Sequence, residues 1–311
     1  MKVAVLGPGG VGGLLAAALV RGGSDVVVVA RESTAAVIEQ QGVRVSSVRF
    51  GEMVERPRAV AELYEPVDAL VVATKASGLV AALARVHTPP AAVLPLLNGL
   101  DHLAPLRARF GPEPVLAGTI RVEADRPEPG VIVHTSPFLL VSMASRYESA
   151  GAAIDSIEAE LGRADVPVRV HRPISPRAEA EVMWSKLVRL NALACTTSAY
   201  DTLLGEIRST PALRADLIGA IEEACAAANA DGALEADPAK ALDELERAHA
   251  TLGSSMQRDI AAGREPELDA IPGSVLRAAA RHGIACPTIE RLVEMIAARA
   301  GVGAPVVPGG A

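Results

Sequence analysis

Runs of consecutive apolar, largely β-branched residues punctuate the first half of the chain at Lys2–Gly7, Asp25–Ala30, Ala69–Thr74, Ala91–Leu97 and Val115–Thr119. Ala/Leu-rich stretches with helical spacing separate the earlier runs. Strands without polar alternation are buried on both faces, so this order predicts βαβ units and a parallel sheet. From Gly130 the pattern changes. Two shorter runs, Val131–His134 and Phe138–Met143, are joined by Thr135-Ser136-Pro137 and predict a hairpin added to the sheet. A helix over Ser149–Leu161 and a strand over Val166–Val170 follow. The segment His171–Pro176 carries two prolines, excludes regular helix and predicts a linker. Helices are then predicted over Ala178–Ala194, Pro211–Asn229, Pro238–Ile260, Gly273–His282 and Pro287–Arg299 from their 3.6-residue apolar period. The expected fold class is α/β. An N-terminal Rossmann-type doubly wound sheet occupies residues 1–172, a C-terminal all-helical domain 173–300, and a flexible Gly- and Pro-rich tail 301–311.

Half of the 311 residues are hydrophobic but only 2% are aromatic, so Ala, Val, Leu and Ile must fill the core and bases find no stacking platform. Lys and Arg number 30 against 37 Asp and Glu, and no basic run stands out, which argues against nucleic-acid and anionic-membrane partners. The apolar stretches are strand-sized, far short of the roughly 20 residues that span a bilayer. The first strand follows Met1-Lys2 directly, without a secretory pattern, and a cytoplasmic protein is expected. Cys195, Cys225 and Cys286 lie far apart with no CxxC, and the histidines lack ligand spacing, so neither a disulfide framework nor a metal site is expected. Apolar helical faces pack equally well within one chain or across a two-fold axis, which leaves a homodimer open.

The chemistry concentrates at the first strand-to-helix turn. Val3–Leu6 runs into Gly7, Pro8, Gly9, Gly10, Val11 and Gly12, and then into Leu14–Val20, which fits GxGxxG between a strand and a helix. Gly7 permits the tight turn, Gly9 lets backbone approach a pyrophosphate, and Gly12 lets the helix pack on the strand. The uncompensated N–H groups of the helix start then bind the anion. The second strand ends at Arg31, where an NAD enzyme carries Asp or Glu for the ribose 2′-hydroxyl; arginine there points to a 2′-phosphate and to NADPH. Glu32 beside it would repel that phosphate unless it turns away.

Further motifs extend along the chain. They are Thr74-Lys75-Ala76, Leu97-Asn98-Gly99-Leu100, Gly118-Thr119, Pro129–His134, Trp184-Ser185-Lys186-Leu187, Gly205-Glu206-Ile207-Arg208, Ser254-Ser255-Met256, Glu267-Leu268-Asp269 and His282–Pro287. With the glycine loop, their order resembles the ketopantoate reductase (2-dehydropantoate 2-reductase) family over most of the chain. The resemblance implies an NADP-dependent oxidoreductase that transfers a hydride from NADPH to a small 2-oxo acid, with a lysine as general acid. Lys186 matches that lysine, and Glu267 the acidic residue that contacts substrate and orders it. Ser255 matches the serine that binds the substrate carboxylate. Asn98 and Lys75, each following a predicted parallel strand, match an asparagine and a lysine on the cofactor and substrate side. Independently of family, hydride addition to a ketone builds charge on oxygen that a nearby ammonium can stabilise and protonate.

The chain also departs from the family. The asparagines expected one and two repeats beyond the lysine, on its own helix face, are Leu190 and Ala194; the asparagine before the Gly205 motif is Leu204. An asparagine-glycine pair after the acidic residue is Pro272-Gly273. Asn191 lies about 140° round a regular helix from Lys186 and is no substitute, whereas Arg189 is a candidate replacement contact for a substrate carboxylate. The resemblance implies conversion of 2-dehydropantoate to pantoate, in pantothenate biosynthesis. The losses keep two alternatives open, a reductase of a more apolar 2-oxo acid or carbonyl and a non-catalytic NADP(H)-sensing binding protein.

Overall fold

A computed structural model describes residues 1–308. The chain divides into two compact units. The first begins β1 (Lys2–Leu6), α1 (Gly10–Arg21), β2 (Asp25–Val29), α2 (Glu32–Gln41), β3 (Val43–Ser47), β4 (Gly51–Glu55), β5 (Arg58–Val60) and β6 (Ala69–Val72). It continues α3 (Leu79–Leu83), β7 (Ala92–Pro95), α4 (Leu103–Phe110), β8 (Ala117–Arg121), β9 (Ala124–Glu128), β10 (Val131–His134), β11 (Leu140–Ala144), α5 (Gly151–Arg163) and β12 (Val168–Val170).

Strands β5-β2-β1-β6-β7 form a parallel sheet in that order. Successive residues of each strand feed different cores. Val3 and Val5 pack with Leu14, Leu15 and Leu19 of α1, whereas Ala4 and Leu6 pack with Leu79, Leu83 and Leu106 from α3 and α4. A sheet covered on both faces has no solvated side, which accounts for the unbroken apolar runs. The Rossmann-type expectation is met here, and the strand ends after β1, β2 and β6 open toward the glycine loop, Arg31 and Thr74-Lys75 in turn.

The later strands correct the predicted hairpin. β10 and β11 do not pair with each other: β10 joins β4-β3-β10-β9, and β11 joins β12-β11-β8. The hairpin partner of β10 is β9, because Gly130 takes φ +76° in the turn after Pro129. Between β10 and β11, Ser136 accepts from Glu123 N and donates to Phe138 O, turning the chain from one sheet to the other. The run at Val115–Thr119 yields β8, antiparallel to β11, and only Val115 bridges to Val93 of the main sheet.

The second unit is helical. It contains Asn98–Asp101 and the chain from Met183 on. The division falls inside α6 (Pro176–Tyr200); the prolines of His171–Pro176 stop a helix without detaching the segment, since His171 N and Ser175 N bond to Met143 O and Ser145 O. There follow α7 (Leu204–Ser209), α8 (Pro211–Ala230), α9 (Pro238–Arg247), α10 (Ser255–Ala261), a π-turn at Asp269–Gly273, α11 (Ser274–Arg281) and α12 (Pro287–Ala300). Proline opens α8, α9 and α12, where no N–H is needed. The single helix expected over Pro238–Ile260 is two. Arg208 donates to Leu245 O and Ala248 O at 2.9 Å and to Glu246 O, ending α9, and the Ser254 hydroxyl caps α10 through Gln257 N.

The described part of the tail, residues 301–308, follows α12. Residues 302–308 have no regular structure, yet Val306 O accepts from Arg277 at 3.2 Å and Pro305 packs on Gly273. Residues 309–311 of the expected flexible tail lie outside the described residues. Among the described residues no helix is long and apolar enough to cross a membrane, and no cluster of His, Cys, Asp and Glu could hold a metal ion.

Candidate active site

In the first unit the glycine loop is built by close approach. Gly7 has φ +90°, and a Cβ there would lie 2.6 Å from Thr74 Cγ2. A Cβ on Gly12 would meet Gly7 O at 2.2 Å, so α1 lies directly on the end of β1. One on Gly10 would meet Ala124 O at 2.1 Å. Gly9 is the N-cap of α1 with no side-chain cap, which leaves the first-turn N–H groups pointing out of the loop that Gly7, Pro8, Gly9, Gly10, Val11 and Gly12 form. Beside it the Thr74 hydroxyl is buried without a hydrogen-bond partner. A glycine cradle, an uncapped helix start and an orphaned hydroxyl fit the pyrophosphate of a dinucleotide. Thr74 was within a recognised motif, but its significance rests on a burial that sequence does not display.

Arg31 is exposed at the N-cap of α2. Glu32 turns to Arg85, with Oε1 3.1 Å from Nη1. Its own helix-start N–H and then Arg85 hold its carboxyl below the ordinary range. Glu32 therefore carries its own counter-charge. Lys75 is exposed at the N-cap of a short turn, Ala76–Gly78, that follows β6.

In the second unit three predicted residues meet. Lys186 Nζ donates to Asn98 Oδ1 at 2.8 Å, and Asn98 Nδ2 donates to Glu267 Oε2 at 2.9 Å. All three side chains are half-buried. An ammonium has no acceptor and a carboxylate no donor, so the amide has one permitted orientation between them. Two long-range features set the geometry. The buried Trp184 donates to Asp231 Oδ2 at 3.0 Å, which fixes the rotation of α6 two residues before Lys186. Gly99 has φ +83°, and a Cβ there would lie 1.9 Å from Ala270 O, so the Asn98 turn rests on the π-turn that follows Glu267.

Other expected residues stand elsewhere. Ser255 is the exposed first residue of α10. Arg189, the candidate replacement contact, lies with its Nε 3.1 Å from Glu244 Oε2 on α9. Of the positions where asparagines are missing, Leu190 is half-buried, while Ala194 and Leu204 have no exposed surface at all. Asn191 is buried with its Nδ2 unpartnered.

A glycine cradle that fits a dinucleotide pyrophosphate, in a parallel sheet, and an ammonium–amide–carboxylate chain, in a helical unit, accord with an oxidoreductase. Residues 3–142 match the family described as "Ketopantoate reductase PanE/ApbA", and residues 180–300 match its C-terminal model. The chain belongs to the ketopantoate reductase family. It is 29% identical over 300 residues to an uncharacterized oxidoreductase, YkpB, of Bacillus subtilis, covering 93% of this chain and 96% of that one. It is 28% identical over 303 residues to the 2-dehydropantoate 2-reductase of Halobacterium salinarum, covering 95% and 98%. Among solved structures, D-mandelate dehydrogenase with NADH and anilino(oxo)acetate has a similar fold, with a TM-score of 0.86 at 20% identity over 97% of this chain and 100% of that one.

Proposed function

We propose that the protein uses NADPH to reduce a 2-oxo acid, 2-dehydropantoate to pantoate being the leading substrate, with Lys186 as general acid. The observation that carries this reading is the continuous chain from Lys186 Nζ through Asn98 to Glu267, at 2.8 and 2.9 Å. NADPH, when bound, supplies a hydride to the substrate carbonyl carbon. The Lys186 ammonium stabilises the charge that develops on the carbonyl oxygen and donates the proton that completes the alcohol. Asn98 holds one face of that ammonium, which restricts where its remaining N–H bonds aim. Glu267 accepts from the amide and so fixes the orientation that turns the Asn98 oxygen to the ammonium.

Ser255, exposed at the start of α10, is assigned to the substrate carboxylate, and Lys75 to the cofactor and substrate side of the first unit. Arg31 is assigned to the 2′-phosphate. Glu32 does not oppose this, because Arg85 compensates it. Reduction of 2-dehydropantoate would place the protein in pantothenate biosynthesis.

A second reading, a more apolar 2-oxo acid, is favoured by Leu190 half-buried on the face of Lys186 where the family carries asparagine. A surface of this kind cannot reward a substrate hydroxyl. The experiment is loss of NADPH absorbance with 2-dehydropantoate, run beside branched and aryl 2-oxo acids and repeated with NADH and with Lys186→Ala. Turnover of 2-dehydropantoate that falls about 10²- to 10⁴-fold in the variant supports the first reading. Preference for an apolar acid supports the second. Undiminished turnover by Lys186→Ala overturns the general-acid role, and silence across the panel leaves a non-catalytic NADP(H)-binding protein.

A further inference from the structure

We propose that Arg277 is a positioning residue for the proton donor, a role that rests on the reading of Lys186 given above. Arg277 lies on α11, away from the three residues of the chain, and its guanidinium is fully used. Its Nε and Nη2 donate to Asp101 Oδ2 at 3.0 and 2.7 Å. Nη1 donates to Asp269 Oδ1 at 2.7 Å and Nη2 to Asp269 O at 2.8 Å. The second hydrogen of Nη1 goes to Val306 O at 3.2 Å. A guanidinium has five N–H donors in a fixed plane, and here each has an acceptor.

What this fastens is the pair of segments that hold Lys186. Asp101 stands one turn beyond Asn98, and Asp269 stands just beyond Glu267. The segments also touch where Gly99 leaves room for Ala270 O, one residue past Asp269. The Asn98–Glu267 hydrogen bond therefore spans two distant backbone segments that the Gly99–Ala270 contact and the Arg277 guanidinium tie together. The tail enters as the acceptor of the fifth donor, with Pro305 against Gly273. If Arg277 is lost, the cation that ties Asp101 to Asp269 goes with it, the two segments lose that side-chain bridge, and Asn98 is freed to move from Glu267.

The effect belongs in turnover rather than in binding, because Arg277 is placed to act through Asn98 and Glu267. A displacement of the order of 1 Å at a reacting group costs up to about 10²-fold. Arg277→Gln is expected to lower kcat about 10- to 100-fold with the fastest 2-oxo acid of the wild type, while the substrate KM and the NADPH Kd, read by fluorescence, stay within about threefold. Hydrogen exchange should rise in peptides covering 98–103 and 266–273. Arg277→Lys should recover part of kcat, since an ammonium can keep one carboxylate but not the planar fork.

Wild-type kcat in Arg277→Gln overturns the proposal, as does unchanged exchange in both peptides. A loss confined to KM also overturns it, since that marks a binding contact. If Arg277→Gln does not fold, Asp101→Asn keeps the guanidinium and removes one of its carboxylates: a fall in kcat at constant KM supports the proposal and wild-type kcat refutes it. A wild type that turns over no 2-oxo acid removes the reading of Lys186 and this proposal with it, whereas an active wild type matched by its variants removes the proposal alone.

Discussion

Replacing Asn98 by leucine separates two roles for this residue. The change keeps the volume and removes both hydrogen bonds, to Lys186 at 2.8 Å and to Glu267 at 2.9 Å. Hydrogen bonds to charged partners contribute about 1.5–3 kcal/mol each. The full sum is not lost in stability, because the released ammonium and carboxylate are half-buried and opposite in sign and can pair directly; a net loss of about 1–3 kcal/mol is expected. That direct pairing draws the ammonium away from the substrate oxygen. Loss of one charged hydrogen bond's worth of transition-state stabilisation is about 10- to 150-fold in kcat. If Asn98 acts as a bridge, no ground-state contact goes with it, and the substrate KM and NADPH Kd stay within about threefold. Steady-state NADPH absorbance and a fluorescence titration measure the three quantities. An unchanged kcat with a raised KM or Kd would refute the bridging argument and place the amide against substrate or cofactor, the role its family counterpart holds.

Four further outcomes follow from the first unit. Arg31→Ala should weaken NADPH about 10- to 100-fold and leave NADH nearly unchanged. Arg85→Ala should weaken NADPH by a smaller factor, because it exposes the Glu32 charge to the 2′-phosphate; parallel titrations with both dinucleotides check the pair, and equal losses for the two cofactors would sink the assignment. Gly12→Ala, whose Cβ would lie 2.2 Å from Gly7 O, should displace α1 from the loop and abolish dinucleotide binding measurable at micromolar concentration, while a wild-type Kd would contradict the packing. His134 is 1% exposed, with Ser47 Oγ 2.8 Å from Nδ1, and burial chiefly holds its pKa below the ordinary imidazole value. The unfolded chain then binds the extra proton more readily, so this contribution is present at neutral pH and is lost as pH falls below the ordinary histidine range. Urea unfolding at pH 7 and pH 5 should show a smaller acid penalty in His134→Gln than in wild type, and an identical penalty would exclude His134 as its source.

What sequence could show follows from what each feature needs. The parallel sheet was legible because burial on both faces leaves unbroken apolar runs, and the glycine loop because its geometry excludes side chains. Lys186, Asn98 and Glu267 stood out through their motifs. Their connection did not, since Asn98 and Glu267 come from distant segments that meet only where Gly99 touches Ala270. The partner of β10 was misread for a related reason: Val131–His134 and Phe138–Met143 both have strand composition, and only the sheet change directed by Ser136 sends β11 to β8. Arg208 ends α9 through carbonyls that no pattern marks, and the pairing of Arg189 with Glu244 is equally unmarked. Apolar periodicity reports burial, and each of these depends instead on which polar group lies opposite.

The amide placed between Lys186 and Glu267 also determines where protons travel. A carboxamide neither gives up nor takes a proton near neutral pH, so Asn98 transmits the field of the carboxylate while insulating the ammonium from it chemically. If Lys186 delivers the proton as proposed, the ammonium is restored from water, since the Glu267 carboxylate tied to it through Asn98 carries no proton to give.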